Sequence, residues 1–325
     1  MTPPDLRFRG RLPTGDDHEL FFAEFGQAEG LAVLHLHGGP GSGANPGDAD
    51  LFDLKRMRLI LFDQRGTGDS TPAGDVTYND TAHLLEDIER LRRHLGIDRW
   101  LIYGGSWGGT LALEYAKAHP QRVLGLVLRA PFLARASDLD WFIGREGAAR
   151  TFPDDYATLR HALSAADDDD LVPRMHQWLF DAHTPATALA RVCTAWSNWE
   201  RALMGVEPRP MPADGPPDAA LLQRQRIHVH YCRHGFFLGP DGVLPGVERI
   251  AHLPCRVVHG EQDRVCLPCA SHELIARCPD WQLVNVADAG HGLDHPGLRQ
   301  AVRDGLLAIA AATGTADFQS ASGDR

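Results

Sequence analysis

Gly104-Gly105-Ser106-Trp107-Gly108 is the stretch whose reading decides the fold. It fits G-x-S-x-G. Before it, residues 100–103 form the apolar run Trp-Leu-Ile-Tyr, which reads as a buried strand. After it, a helical pattern runs from about 110 to 119 and stops at Pro120. A strand that turns sharply through glycines into a helix strains the backbone at the turn. It also lifts the serine Oγ out at the carboxyl edge of the sheet. Glycines flank the serine because such a turn leaves no room for Cβ atoms. The start of the helix adds a backbone N–H, that of Trp107, which no helical carbonyl takes up and which can face a developing oxyanion. The pattern alone is weak, and its place between strand and helix gives it chemical content.

Working outward, strand-like runs alternate with helical ones. Residues 19–25 read as an early antiparallel strand, and 31–36 and 58–62 as short apolar strands bounded by glycine-rich turns. Residues 81–95 carry Leu84, Leu85, Ile88, Leu91 and Leu95 at helical spacing, and Gly96 ends the helix. Runs at 100–103, 123–128, 256–259 and 282–286 complete a set of short strands with little alternation, as in a sheet covered on both faces. Helices between strands imply parallel pairing with right-handed crossovers. With the serine turn, this predicts an α/β-hydrolase fold: a mostly parallel twisted sheet with helices on both faces.

The alternation breaks between residues 132 and 250. That segment has helical patterns, an acidic run at 167–170, a proline-rich stretch at 208–217, and Trp141, Trp178, Trp196 and Trp199. It reads as a helical cap inserted between two sheet strands. The acidic run is expected to be a solvated loop and the proline-rich stretch a stiff one. The predicted division is therefore a core of residues 1–131 and 251–312, a cap of 132–250, and a small, polar, disordered tail at 313–325. No internal repeat is visible.

Composition narrows the function. The chain has 325 residues, of which 43% are hydrophobic and 23% charged, an ordinary globular balance. A chain of this length buries about three quarters of its unfolded surface, so a large core is available. Acidic residues outnumber basic ones 43 to 32 and no basic run stands out, which argues against a nucleic-acid partner. Residues 1–11 contain no apolar signal region, and no stretch approaches the roughly 20 apolar residues of a membrane span. A cytoplasmic protein with reduced cysteines is expected. Cys266 and Cys269 form C-x-x-C with His272 close behind, but no second ligand pair has a familiar spacing, so no metal or cofactor is predicted.

A serine hydroxyl is a poor nucleophile at neutral pH. It needs a base, and the base needs an orienting carboxylate. In the predicted fold these follow in the order Ser, Asp or Glu, His. Val257-Val258-His259-Gly260-Glu261-Gln262-Asp263 places an aspartate just past a strand end. Ala287-Asp288-Ala289-Gly290-His291-Gly292 places a histidine in a glycine-flanked loop after the next strand. His291 is preferred over His295 and His259. Asp263 is preferred over Glu261 and over Asp288, which is too close in sequence to approach the imidazole of His291 from behind. The stretch His37-Gly38-Gly39-Pro40-Gly41 follows the strand at 31–36 and brings a second backbone donor, assigned to Gly39. Each oxyanion donor is worth roughly 3 kcal/mol on the transition state. The loop lacks the Gly-Lys-Ser/Thr ending of a nucleotide-binding turn.

Three motifs taken together, His37-Gly38-Gly39-Pro40-Gly41, Asp63-Gln64-Arg65-Gly66-Thr67-Gly68-Asp69-Ser70 and Gly104-Gly105-Ser106-Trp107-Gly108-Gly109, resemble the prolyl aminopeptidase (proline iminopeptidase) family. So do Asp87-Ile88-Glu89-Arg90-Leu91-Arg92 and Gly260-Glu261-Gln262-Asp263-Arg264-Val265-Cys266. The resemblance implies a serine exopeptidase that releases an N-terminal proline from small peptides through an acyl-enzyme. Ser106 would be acylated, His291 would move the proton, Asp263 would hold the imidazole, and the N–H groups of Gly39 and Trp107 would hold the oxyanion. It also implies that cap glutamates bind the free amino end of the substrate. Trp196-Ser197-Asn198-Trp199-Glu200 matches one such pattern and carries Glu200 over. In Arg226-Ile227-His228-Val229-His230-Tyr231, His228 stands where the second glutamate is expected. A carboxylate pairs with an amine through a charged hydrogen bond worth about 1.5–3 kcal/mol. Imidazole supplies no countercharge, so weaker amine recognition or a shifted substrate is expected, with a pH dependence from His228.

The first rival reading is an esterase or amidase of the same fold that needs no free amine. The second is a catalytically silent binding module, against which the complete Ser, Asp, His order argues. Dehalogenase and epoxide hydrolase chemistries are disfavoured because they use an aspartate at the turn.

Overall fold

The computed structural model describes residues 6–166 and 168–313. Of the sequence expectations, Asp167 in the acidic run and residues 314–325 of the tail lie outside these. Thr313 is described and caps the last helix, its Oγ1 donating to Ala310 O at 2.7 Å.

Eight strands form one sheet: β1 (Leu6–Pro13), β2 (Glu19–Gly26), β3 (Leu31–Leu36), β4 (Met57–Phe62), β5 (Trp100–Gly105), β6 (Val123–Arg129), β7 (Cys255–Gly260) and β8 (Gln282–Val286). Their spatial order is β1-β2-β4-β3-β5-β6-β7-β8. β2 runs antiparallel to both neighbours, and every pairing from β4 to β8 is parallel. The helices α1 (Thr81–His94), α2 (Trp107–Ala118), α8 (Pro268–Arg277) and α9 (Pro296–Ala312) connect or follow the strands. Period-two geometry sorts side chains to two faces. On β5, Trp100 and Ile102 join the core cluster that includes residues of α1, α2 and α8, while Leu101 and Tyr103 join the cluster beneath α9. The sheet is therefore covered on both sides, as the unbroken apolar runs predicted.

Two strands depart from the sequence reading. β1 was not anticipated. It is an edge strand paired only to β2 and most of its residues are exposed, yet Leu6, Phe8 and Leu12 alternate with Arg7, Arg9 and Arg11, a period-two signal that the sequence reading passed over. β8 was expected to be buried, but it is the opposite edge and pairs only with β7, so none of its residues is fully buried. α2 also begins three residues earlier than the pattern suggested, at Trp107, because Ser106 itself is its N-cap residue.

Between β6 and β7, neighbours in the sheet, the described chain forms no strand. It runs through α3 (Ala136–Ile143), α4 (Pro153–Ala162), α5 (Leu171–Phe180), α6 (Ala186–Leu203) and α7 (Ala219–Arg233). Asp170 of the acidic run is not merely solvated: it caps α5, accepting from Val172 N at 3.1 Å. Trp196 and Trp199 of α6 are fully buried, and Trp199 Nε1 donates to Phe142 O at 3.0 Å. α7 is tied down to the loops of the sheet. His230 Nε2 bonds Asn79 O at 2.8 Å, Tyr231 Oη donates to Asn79 Oδ1 at 2.9 Å, and Gln223 Nε2 donates to Gly66 O at 2.9 Å. Trp141 Nε1 donates to Arg264 O at 2.9 Å, and Arg135 pairs with Glu273. No helix among the described residues is long and apolar enough to cross a membrane.

Candidate active site

The carboxyl ends of β3, β5, β7 and β8 open into one cavity of about 400 Å³. Its wall includes Gly38, Gly39, Ser106, Cys266 and His291 on the sheet side and Phe142, Glu200, Arg224 and His228 on the helical side.

Ser106 sits at φ 56°, ψ −125°, the strained conformation expected of a sharp strand-to-helix turn. The turn is crowded: a Cβ on Gly108 would lie 2.0 Å from Leu36 O. Trp107 plays two separate parts. Its indole is buried and donates from Nε1 to Gln64 Oε1 at 2.9 Å. Its backbone N–H is at the first helical position and donates to no acceptor among the described residues. The N–H of Gly39 is likewise free of protein acceptors, and Gly39 faces the cavity. Gln64 braces this glycine loop, with Nε2 donating to His37 O at 2.9 Å and its N–H to His37 Nε2 at 3.1 Å.

Asp263 is 1% exposed. Its Oδ1 accepts from Val265 N at 2.8 Å and Cys266 N at 3.0 Å, and its Oδ2 lies 2.7 Å from His291 Nδ1. Burial pushes the carboxyl up. The charge of His291 and the hydrogen bonds from His259 and His291 outweigh it and hold Asp263 well below the usual carboxylate range. With Nδ1 turned to Asp263, Nε2 is left as the other ring nitrogen of His291. Arg129 fixes that loop from behind, NH1 donating to His291 O at 2.6 Å. Ser106 and His291 line the same cavity without a direct hydrogen bond. The side-chain partner of Ser106 Oγ is Cys266 Sγ at 3.9 Å.

The alternatives fall elsewhere. His295 caps α9, accepting from Leu298 N at 3.3 Å. His259 is buried behind the aspartate, bonding Ser271 Oγ at 2.6 Å and Cys266 O at 2.9 Å. Glu261 and Asp288 are exposed. Cys266 is buried and Cys269 exposed, and burial pushes the Cys266 thiol up, away from the reactive thiolate.

At the helical end the structure sharpens the sequence reading. Glu200 and His228 do meet. Nδ1 of His228 is 2.8 Å from Glu200 Oε1, a short but bent ion-pair contact without aligned hydrogen-bond geometry. The other oxygen, Oε2, lies 2.9 Å from Arg224 NH2 and 3.4 Å from Gln225 Nε2. Burial works against a charged His228, but the Cys232 sulfur and the Glu200 carboxylate together push it up to about 10. His228 is therefore a cation throughout the neutral range, and its titration is displaced toward alkaline pH. Burial raises Glu200, yet Arg224 and His228 bring it below its usual value. Arg224 was not singled out in the sequence. The signal was there: it precedes His228 by four residues, which places both on one face of a helix.

The sequence matches the family model of the alpha/beta hydrolase fold over residues 32–293. A probable proline iminopeptidase of Leptolyngbya boryana is 38% identical over 300 residues, covering 91% of this chain and 92% of that protein. A proline iminopeptidase of Xanthomonas citri is 41% identical over 290 residues, covering 89% and 92%. The solved structure of a proline iminopeptidase from Mycobacterium smegmatis superposes with a TM-score of 0.60 at 20% identity, covering 94% of this chain and 99% of that one. That last likeness speaks to the fold alone. The identity over nine tenths of the length speaks to descent, and the chain belongs to the proline iminopeptidase family of the α/β-hydrolase fold.

Proposed function

We propose that this protein is a serine exopeptidase that releases the N-terminal proline from small peptides. Ser106 Oγ attacks the prolyl carbonyl while His291 Nε2 takes its proton. The oxyanion develops between the N–H groups of Gly39 and Trp107. His291 then protonates the departing peptide amine, and water attacks the prolyl-enzyme ester by the same route in reverse. Asp263 holds the imidazole tautomer and stabilises the imidazolium. The hydrogen bond from Ser106 to His291 closes as substrate fills the cavity, as such bonds often do. The observation that carries this reading is the buried Asp263–His291 contact at 2.7 Å in the wall of the cavity that holds the strained Ser106.

The division of labour follows the chain. Residues 1–131 and 251–312 supply the reacting groups as a hydrolase core, and residues 132–250 act as a cap that closes the cavity and offers Glu200 to the substrate's amine. The protein works in the cytoplasm on small peptides, without a metal, cofactor, membrane or nucleic acid. Hydrolysis of L-prolyl p-nitroanilide by the purified protein, set against its Ser106→Ala variant, tests the activity. Rejection of that anilide by the wild type sinks it.

A second reading has one specific observation in its favour. Both oxygens of Glu200 already have cationic partners, which suits an amidase or esterase of the same fold with no strict need for a free amine. N-acetyl-L-prolyl p-nitroanilide separates the two, because an aminopeptidase refuses the blocked substrate.

A further inference from the structure

The cap end of the cavity holds a carboxylate whose two oxygens already have cationic partners. Two cations, Arg224 and His228, face the single carboxylate of Glu200 and leave one surplus positive charge. Among the other ionisable groups on the wall, Cys232 shares α7 with the two cations, and Asp48, Arg129, His35, His37 and His291 lie on the sheet side. Both cations that pair with Glu200 come from α7.

The two cations are held differently. His228 is 8% exposed, with the Phe142 ring at 5.7 Å and the Trp196 ring at 6.0 Å on its sides. Packing leaves it nowhere to go. The Arg224 side chain is 32% exposed, and Glu200 is its one partner among the described residues. Its Nε is buried without an acceptor. Its backbone is anchored, because α7 rests on the glycine loop so closely that a Cβ on Gly41 would lie 2.7 Å from Arg224 O. A long side chain on a fixed backbone, held by one ion pair and open to solvent, can leave Glu200 and return to it.

We propose that Arg224 is a specificity-determining residue that occupies the place of the substrate's ammonium on Glu200 Oε2, so that a free-amine substrate binds only by displacing it. This rests on the reading above that Glu200 faces the amine. The displaced guanidinium finds water, and the prolyl ammonium takes over its carboxylate oxygen. The exchange of one cation for another returns little net attraction, so free-amine substrates bind weakly while the acyl chemistry at Ser106 is untouched. N-blocked substrates leave the pair in place.

The experiment compares wild type with Arg224→Met, which keeps the apolar stem and removes the charge, and with Arg224→Lys, which keeps a cation. On L-prolyl p-nitroanilide the Met variant is expected to show a KM about threefold lower, the loss of one partly exposed ion-pair competitor, with the change confined to KM. The Lys variant stays near wild type. N-acetyl-L-prolyl p-nitroanilide is the blocked control: it stays refused in both variants, and where it is turned over neither substitution lowers its KM. An unchanged or raised KM for the free-amine anilide in the Met variant overturns the proposal. So does an equal fall for both substrates, which signals a cavity merely opened. Arg224→Gln serves if the Met variant does not fold. Calorimetric titration with L-prolinamide reads the same site without turnover: about threefold tighter binding to the Met variant is expected, and equal affinity overturns the proposal. If wild type turns over no prolyl anilide, the assigned function fails, and the titration still decides the role of Arg224.

Discussion

The two ends of the cavity are built by different means. At the sheet end, Ser106, Asp263 and His291 sit on short loops at the carboxyl ends of β5, β7 and β8, and their geometry is set by backbone. The serine is strained at φ 56°, and the aspartate is held by two N–H groups of its own loop. At the cap end, Glu200 of α6 meets Arg224 and His228 of α7 because two helices pack. Nothing local dictates that meeting. Chemistry that tolerates little displacement is placed on rigid strand ends. Recognition, which can vary among relatives of one fold, is placed on helices whose side chains exchange freely.

The sharpest way to break this contrast is at Ser106. Ser106→Ala is expected to lower kcat on a prolyl anilide by about 10⁶-fold and to abolish labelling by a fluorophosphonate. Labelling that survives would mean a different nucleophile. Asp263→Asn comes next, with a loss of about 10⁴-fold in kcat, since the amide leaves the imidazole in the wrong tautomer. A loss below tenfold would show that the Asp263 carboxylate does not organise His291.

At the cap end smaller effects are expected. Glu200→Gln should raise KM for the free-amine anilide by about tenfold, the value of a charged over a neutral hydrogen bond, and leave kcat nearly unchanged. A kcat effect of the same size would move Glu200 from recognition to chemistry. Gly108→Ala tests the claim that backbone governs the sheet end. Forcing a Cβ against Leu36 O should cost about 1–3 kcal/mol of stability, read as a lower midpoint in urea. An unchanged midpoint would contradict the crowding.

The last test is a pH dependence. Because His228 is raised in the folded protein to about 10, its pairing stabilises the fold fully below its unfolded value of about 6.5 and is lost as pH climbs toward 10. Glu200 is depressed, so its share is present above its unfolded value and is lost as pH falls toward acid. The difference in Tm between wild type and His228→Gln should therefore shrink steadily from neutral to pH 10. A constant difference across that range would mean His228 is not charged in the fold.

Much of the sheet end was legible in advance. The glycines around Ser106, the aspartate after β7 and the histidine after β8 are contiguous signals, and chain order fixes their roles. The alternatives His295 and Asp288, already set aside by position in the sequence, are spent elsewhere in the structure, one on a helix cap and the other exposed. β1 was overlooked although Leu6, Phe8 and Leu12 alternate with arginines, because the run is short and three of its residues are charged. The burial of β8 was misjudged because its composition resembles that of the strands beside it. At the cap, the resemblance pointed to Glu200 and to the odd histidine at 228, but it held no hint that the two would neutralise each other.

By itself the sequence determined the strand–turn–helix at Ser106, the order of the reacting residues and the class of fold, since each is written in a few adjacent residues with strict steric demands. Only the tertiary structure decided that Glu200 is already paired, that His228 is charged and that Arg224 stands at the mouth of the recognition site. Those facts depend on distances between side chains 24 and 28 positions apart on separate helices, and on a buried environment whose electrostatics exist only after the helices have packed.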